Sequence, residues 1–201
     1  MCINPCLRKA RARFYVVLFV AVTAVSAKYE VKDLQLKAAD QYAAHLDFQE
    51  IVIGAFPCNT QAKALELFDT EKLHEKGFLP ILLVIENHNV FPIQIRETDI
   101  YLVETDGTQR RPIPYLDVLL EVSLKKPITE SLDKKQIDKI VKKEMRLDFE
   151  HKSFGEKLIG PNSSDHGVVF YRLPTDGTLE GCRLYFPEVL NFSEREMLIF
   201  F

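Results

Sequence analysis

The chain has 201 residues, of which 47% are hydrophobic and 27% are charged, and its formal net charge is −3. This length fits one domain of ordinary size that can bury a hydrophobic core. Lysine and arginine residues are mixed with acidic residues along the sequence, which argues against nucleic acid as a partner.

The first 27 residues have the three-part pattern of a secretory signal peptide. Four basic residues between positions 8 and 13 precede an apolar run from Phe14 to Val22, and the small residues Val25 and Ala27 follow it. The apolar run is shorter than the roughly 20 residues that cross a bilayer as a helix. We therefore predict cleavage after Ala27 and a single domain over residues 28–201, with retention of the segment as an N-terminal anchor as the alternative.

Export would place the protein outside the cytoplasm, as a periplasmic, envelope-associated or secreted protein. Removal of the four basic leader residues makes the rest of the chain more acidic, and no later segment is long and apolar enough to span a membrane. We expect membrane contact only through the N-terminal segment, if it is uncleaved. Cys58 and Cys182 remain after cleavage, and they predict either one disulfide or two unpaired thiols.

The first half of the remaining chain alternates between strand and helix patterns. Phe48 to Ile53 is rich in β-branched residues and predicts a strand, ended by Gly54 and Pro57. Thr60 to Lys76 has apolar residues near helical spacing before Gly77, which predicts a short helix. The unbroken apolar run from Phe78 to Ile85 is typical of a central strand that is covered on both faces.

The polar cluster Asn87-His88-Asn89 interrupts two apolar stretches. Asparagine tolerates left-handed backbone geometry, and Pro92 reinforces the break, so the cluster predicts a turn. A ligand site is the alternative, but one histidine between two amides supplies too few ligands for a metal and no nucleophile. Two strands should follow, at 93–95 and 99–103, and the segment 105–108 predicts another tight turn.

A helical insertion is predicted at about 115–159. Tyr115 to Val122 predicts a short helix, and Ser131 to Phe149 predicts the longest helix of the chain. Lysines dominate the polar face of this longer helix. Its apolar stripe either packs on the domain or forms a docking face for a partner; the stripe contains Ile137, Val141, Met145 and Phe149.

The C-terminal part returns to strand patterns. Strands are predicted at 166–173, 182–186 and 196–201, with loop or turn residues between them. Six or seven short strands separated by turns, with one helical insertion, favour an antiparallel β-sandwich over a βαβ architecture. The predicted fold class is mainly β: an immunoglobulin-like antiparallel sandwich with an α-helical insertion.

Three segments carry a resemblance to a known family: "LPILLVIENHNVFPIQI" from Leu79, "DIYLVETDG" from Asp99 and "GPNSSDHGVVFYRLP" from Gly160. A central strand that ends in an Asn turn and a late strand of the type G-V-V-F resemble small extracytoplasmic immunoglobulin-like sandwiches. The water-stress and hypersensitivity type of late-embryogenesis-abundant domain is one example. The resemblance implies a β-sandwich outside the cytoplasm, and no functional residue is carried over from it.

Sequence motifs of the common enzyme classes are absent: there is no phosphate-binding glycine loop, G-x-S-x-G, H-E-x-x-H or C-x-x-C. Two acidic clusters with a histidine, at 69–75 and 148–151, have the residue types of a divalent-metal site, although such residues are also ordinary on helix surfaces. We therefore expect no catalytic residue, no cofactor and no metal. The favoured hypothesis is an exported, non-catalytic module with a structural or protein-binding role. The alternative is an exported hydrolase or metal-dependent enzyme whose site is assembled from distant residues.

Overall fold

Strands dominate the structure, a computed structural model that describes residues 28–124, 134–174, 177–187 and 197–201. The predicted signal peptide, residues 1–27, lies outside these ranges. The strands in the described residues are β1 Ala44–Phe48, β2 Ile51–Pro57, β3 Phe78–Asn87, β4 Ile93–Arg96, β5 Tyr101–Val103, β6 Gln109–Arg110, β7 Glu156–Ile159, β8 Ser163–Arg172, β9 Arg183–Phe186 and β10 Met197–Phe200. The helices are α1 Gln61–Leu67, α2 Lys72–Glu75, α3 Tyr115–Ser123, α4 Lys134–Ile140 and α5 Lys143–Lys152.

The described strands form three sheets, and every strand pair in them is antiparallel. The largest pairing joins β3 to β8 over ten residues, inside a four-stranded sheet of order β1-β2-β3-β8. A second four-stranded sheet has the order β10-β9-β5-β6, and β4 pairs with β7 in a two-stranded sheet. The prediction of a mainly β chain with antiparallel sheets is confirmed.

Two hydrophobic cores lie on opposite faces of the sheet β1-β2-β3-β8. One face contributes odd-numbered residues of β3, such as Leu79, Ile81 and Leu83, to a core shared with the other two sheets. The opposite face contributes Leu82 and Val84 to a core shared with the helices and with the N-terminal segment, residues 28–38. We call these the sheet core and the helix core. Because side chains alternate along a strand, a strand between two cores is apolar at nearly every position, as predicted for β3.

The first predicted strand, Phe48 to Ile53, is wrong because a turn lies inside it. Residues 49 and 50 connect β1 to β2, and the two strands pair from Phe48 opposite Ile51 outward. Both turn residues have positive φ, 49° at Gln49 and 63° at Glu50. Such two-residue turns usually contain Asn or Gly, so Gln-Glu gives no local signal for a turn.

The predicted helix from Ser131 to Phe149 is two helices in the described residues, and its positions 131–133 lie outside them. α4 ends at Ile140 and α5 begins at Lys143, with Lys142 in an extended conformation (φ −60°, ψ 133°). The predicted insertion also extends too far, because β7 occupies 156–159 and pairs with β4. That pairing joins residues 60 to 66 positions apart, and such a distant partner cannot be recognised from the local apolar pattern.

Two glycines permit close approach of other chain segments to the sheet. A Cβ on Gly54 would lie 2.4 Å from the Ala39 carbonyl oxygen, and a Cβ on Gly167 would lie 2.5 Å from the Phe154 Cα. Both distances are too short for any side chain. Gly54 therefore lets the chain just after the N-terminal segment pack on β2, and Gly167 lets the connection between α5 and β7 pack on β8.

Candidate functional site

The predicted docking stripe on the long helical segment is buried. Ile137, Val141, Met145 and Phe149 all belong to the helix core. The ring of Phe149 lies 4.1 Å from that of Phe68 and stacks on Phe170 of β8 at 5.8 Å. The docking interpretation is therefore wrong and the packing alternative holds. The sheet β1-β2-β3-β8 needs a cover on its second apolar face, and these residues supply it.

A buried polar network attaches the N-terminal segment to α5. Asp148 accepts a hydrogen bond from the Tyr29 hydroxyl at 2.5 Å and pairs with the Lys152 ammonium at 2.8 Å. Lys152 also donates to the Leu67 carbonyl at 2.7 Å. Burial is the main cause of a raised pKa for Tyr29, and the Asp148 carboxylate raises this pKa further. The Tyr29 hydroxyl therefore stays protonated and donates. Each buried charge has its partner, which is the condition for tolerating such groups in a core.

The predicted disulfide between Cys58 and Cys182 is not formed. Cys58 is a buried thiol in the helix core, whereas Cys182 lies in the sheet core. The sheet β1-β2-β3-β8 lies between the two cores, and disulfide geometry requires Cα atoms within about 7 Å of each other. The pKa of the Cys58 thiol is raised to about 12, mainly by burial and to a smaller extent by the nearby Glu66 carboxylate. The thiol therefore stays protonated and is a poor nucleophile.

Three turns meet at one end of the sheet β1-β2-β3-β8. We call residues 49–50, 88–92 and 160–162 together the loop end. The backbone N–H of His88 donates to the Glu50 carbonyl at 2.8 Å, and the Asn89 side chain donates to the Gln49 carbonyl at 3.1 Å. The Asn162 N–H donates to the Asn89 carbonyl at 3.3 Å. The turn at 88–92 thus bridges the other two.

Asn87 fixes this arrangement from inside the protein. Its side chain is fully buried, and its Nδ2 donates to the carbonyl oxygens of Phe91 (2.9 Å), Ile159 (3.1 Å) and Gly160 (3.0 Å). Its Oδ1 accepts from the Asn89 N–H at 3.1 Å. Only one orientation of the amide satisfies three acceptors and one donor. The predicted turn is confirmed, and the Asn87 side chain ties its backbone to residues 159 and 160.

Backbone strain is also concentrated at the loop end. Gln49, Glu50 and Asn162 are the non-glycine residues with positive φ in the described part of the chain, and all three belong to the loop end. Left-handed geometry costs about 1–2 kcal/mol for a residue with a Cβ, and less for asparagine. Strain of this kind is frequent where a loop must hold a functional shape.

The turn at 88–92 presents apolar side chains to solvent. Val90 is 87% exposed and Phe91 is 38% exposed, although the backbone beneath them is held by Asn87. The segments 47–50, 86–92 and 160–165 contain acidic residues but no lysine or arginine. Asp165 is paired with Lys157 at 3.1 Å, so the negative charge beside the apolar tip comes from the exposed residues Asp47 and Glu50, with Glu86 beneath the turn.

On the helix side, the described residues form clefts of two kinds, one apolar and one more polar. A cleft of about 520 Å³ is walled mainly by the apolar groups of Tyr42, Phe56, Leu67 and Leu82, and we call it the apolar pocket. A smaller cleft of about 330 Å³ is more polar and lies between the N-terminal segment, the end of α3 and the start of α5. Residues 28–38 contribute to the walls of both clefts.

The two predicted acidic clusters are not brought together as metal sites. Asp69 binds the N-terminal segment by accepting from the Glu30 N–H at 2.9 Å, and Asp148 is paired with Lys152. In the described residues, no three His, Cys, Asp or Glu side chains are placed to share a metal ion.

Sequence reasoning missed the residues that build the loop end and the apolar pocket. Val90 and Phe91 stand in a segment that was correctly predicted as a turn, but local pattern does not show which side chains of a turn are exposed. Tyr42 and Gln41 lie between residues 31 and 46, where the sequence favours neither a helix nor a strand. One sequence signal could have indicated the exposed residues: the apolar pair Val90-Phe91 stands between Asn89 and Pro92, whereas the tips of turns are usually polar.

Comparisons with known proteins give little more. No family model matches the chain, and no curated protein is similar to it. Solved structures that resemble it include the crystal structure of the yjhA protein from Bacillus subtilis, with 11% sequence identity and a TM-score of 0.42, over 78% of this chain and 95% of that chain. A likeness of this degree identifies neither a family nor an activity. Among the described helices, none has the length and hydrophobicity to cross a membrane.

Proposed function

We propose that the protein is an exported, non-catalytic β-sandwich module of the immunoglobulin-like type, which binds another protein of the cell envelope or the extracellular space through its loop end. The exported location rests on the signal-peptide pattern of residues 1–27. The sandwich assignment draws support from the sheet core, to which all three sheets contribute. The resemblance to water-stress and hypersensitivity domains belongs to the same proposal.

One observation carries the binding role: Val90 is 87% exposed at the tip of a turn whose backbone is held by a fully buried asparagine. Burying an apolar side chain from solvent is favourable by about 1.5–3 kcal/mol for a valine or phenylalanine. A tip that is already rigid loses little conformational entropy when it binds. Rigid scaffolds that hold exposed loops are a common arrangement for binding sites.

The surrounding charge defines the chemistry of the partner. Asp47 and Glu50 are exposed beside the tip, and Glu86 lies at its base, within 3.4 Å of the His88 ring. The partner should therefore offer an apolar depression with basic residues around it. No comparable observation supports the enzyme alternative: among the described residues no three His, Cys, Asp or Glu side chains could share a metal ion, and the buried Cys58 thiol is a poor nucleophile.

A photo-crosslinking amino acid at position 90 tests this function. In the cells that produce the protein, we expect one dominant covalent adduct from position 90, whose partner is then identified by mass spectrometry and purified. Val31 on the N-terminal segment is 54% exposed and provides the matched control position. An equal yield of the same adduct from position 31, or no adduct from position 90, would contradict the proposal.

The purified partner then allows a quantitative test. Val90→Asp should weaken binding at least tenfold, because it places a charge in the apolar contact, while the melting temperature stays unchanged. Val31→Asp should bind like the parent protein. Binding should also weaken as salt is raised from about 50 to about 500 mM, because screening reduces the attraction between the acidic loop end and a basic partner.

A further inference from the structure

We propose that the apolar pocket binds a single-chain amphiphile with an anionic head group, such as a fatty acid. This site is separate from the loop end and does not depend on the proposed protein-binding function. Its volume of about 520 Å³ falls within the range of about 300–1,000 Å³ that is usual for small-ligand sites.

The base of the pocket is apolar and comes from rigid elements. Leu82 of β3 and Leu67 of α1 are buried members of the helix core, and Phe56 of β2 packs against the same core. The Tyr42 ring forms a further wall, and its hydroxyl accepts a hydrogen bond from the Lys37 N–H at 3.1 Å. The tyrosine oxygen thus already has a partner at the edge of the pocket. An aliphatic chain suits such walls, because it needs no hydrogen bond from them.

The polar groups at the mouth of the pocket select the head group. Lys37 and Glu66 are both exposed there, and neither forms an ion pair with any residue that the structure describes. A second ammonium group, that of Lys63, lies 5.6 Å from the centre of the Phe56 ring. Lys37 and Glu66 line the mouth with opposite charges, and Lys63, which donates to Asn59 and is not itself a lining residue, adds a second cation beside Phe56. Because cations outnumber the one anion on this side, a negatively charged head group is favoured over a positively charged one.

The N-terminal segment gives a route into the pocket. Gln35 and Lys37 form one side of the mouth. Within the described chain, backbone N–H groups hold the segment near both ends. The Glu30 N–H donates to Asp69 near the start. Near the other end, the Lys37 N–H donates to the Tyr42 hydroxyl and the Ala39 N–H donates to Glu86. No backbone hydrogen bond holds residues 31–36 to the rest of the described chain. Moving this stretch aside breaks the packing of Leu34 on the helix core and the 3.9 Å ion pair of Lys32 with Asp69, but no backbone hydrogen bond.

Isothermal titration of the purified protein with dodecanoate, below its micellar concentration, tests the proposal. We expect saturable binding of one molecule per chain. Decanoate should bind about tenfold more weakly, because two methylene groups fewer are buried. Dodecyltrimethylammonium, which has the same tail and the opposite charge, should bind more weakly than dodecanoate.

Three variants locate the site. Lys37→Met should weaken dodecanoate binding about two- to fivefold, the effect of one exposed ion pair, whereas Glu66→Gln should leave it equal or tighter. Ala43 is exposed and lines the pocket, so Ala43→Trp should fill it and weaken binding at least tenfold. Nuclear Overhauser contacts between the dodecanoate chain and the methyl groups of Leu67 and Leu82 report the same location in the unaltered protein.

The proposal is overturned by any of four results. The first two are that dodecanoate does not bind, or that dodecyltrimethylammonium binds more tightly than dodecanoate. The third is that a folded Ala43→Trp variant binds dodecanoate with unchanged affinity. The fourth is that Glu66→Gln weakens dodecanoate binding as much as Lys37→Met does. If Ala43→Trp does not fold, the absence of contacts to Leu67 and Leu82 overturns it instead. Loss of crosslinking at position 90 has no bearing on these results, so the two proposals fail independently.

Discussion

Replacement of Asn87 by alanine should destabilise the protein by about 3–4 kcal/mol. The two N–H groups of Nδ2 are shared among three carbonyl oxygens, Oδ1 accepts one further hydrogen bond, and the side chain is fully buried. A hydrogen bond contributes about 0.5–1.5 kcal/mol net, and the buried groups that lose their partner cost more. Water that enters the turn restores part of the loss, which limits the total. Since domains are typically stable by about 5–15 kcal/mol, this is a large fraction of the whole.

Asn87→Asp makes the prediction sharper. Aspartate has the same shape, but it replaces the donor group by an oxygen that faces the carbonyl oxygens of Phe91, Ile159 and Gly160. At neutral pH it also buries an unpaired charge. We therefore expect Asn87→Asp to be less stable than Asn87→Ala, although alanine leaves a cavity and aspartate does not.

Urea unfolding followed by circular dichroism measures both free energies. Asn89→Ala is the matched control, because this residue lies in the same turn and its side chain makes one hydrogen bond, to the Gln49 carbonyl. The control should lose no more than about 1 kcal/mol. An Asn87→Asp variant as stable as Asn87→Ala, or a control as damaging as either, would refute the reasoning that Nδ2 holds the loop end together.

Three further changes have expected outcomes. Burial raises the pKa of Glu97 to about 7, so this residue stabilises the folded state below about pH 4.5, and the contribution is lost as the pH rises through 7. At pH 8, the free energy of unfolding of Glu97→Gln should therefore exceed that of the parent protein by about 1–2 kcal/mol. This is roughly half of what the full pKa shift would give, because the side chain is partly exposed. At pH 4 the two proteins should be equally stable. Val141→Asp with Met145→Asp should cost several kcal/mol, because both side chains lie in the helix core, whereas Lys139→Asp on the exposed face of α4 should cost less than about 0.5 kcal/mol. Glu50→Gly should stabilise the folded protein by about 1 kcal/mol. Glycine adopts the positive φ without strain, and this gain is partly offset because glycine gives the unfolded chain more conformational entropy.

Each of these has a direct measurement. Thermal unfolding at pH 4 and pH 8 decides the Glu97 case, and a parent protein that gains stability between these values relative to Glu97→Gln would contradict it. A folded Val141→Asp, Met145→Asp protein would mean that the helix core tolerates charge and that the stripe is open to solvent. A less stable Glu50→Gly variant would mean that the Glu50 side chain contributes more than its backbone strain costs.

The sequence by itself determined the elements whose signal is local. β3 is recognisable because a strand covered on both faces is apolar throughout, and the turn after it is recognisable because Asn87 and Asn89 favour such geometry. α3 was predicted to within one residue of its observed end, since apolar residues recur there at helical spacing. The antiparallel, mainly β character followed from short strands separated by turn residues.

The tertiary structure decided everything that depends on contact between distant residues. Whether the stripe through Val141 and Met145 packs or docks depends on whether an apolar surface faces it, and the second face of the sheet β1-β2-β3-β8 does. Whether Cys58 reaches Cys182 depends on which core each one enters, and they enter different ones. β7 exists because β4 offers it a partner, not because its four residues favour a strand.

The same distinction holds for the candidate sites. The Asn-His-Asn cluster was visible as a turn, but the sequence does not contain the fact that Asn87 Nδ2 reaches carbonyl oxygens more than seventy residues away. Exposure of Val90 and the shape of the apolar pocket likewise arise from what the neighbouring segments leave uncovered. Periodicity records which residues avoid water on one element, whereas a binding surface is defined by the space between several elements, and that space exists only after they have packed.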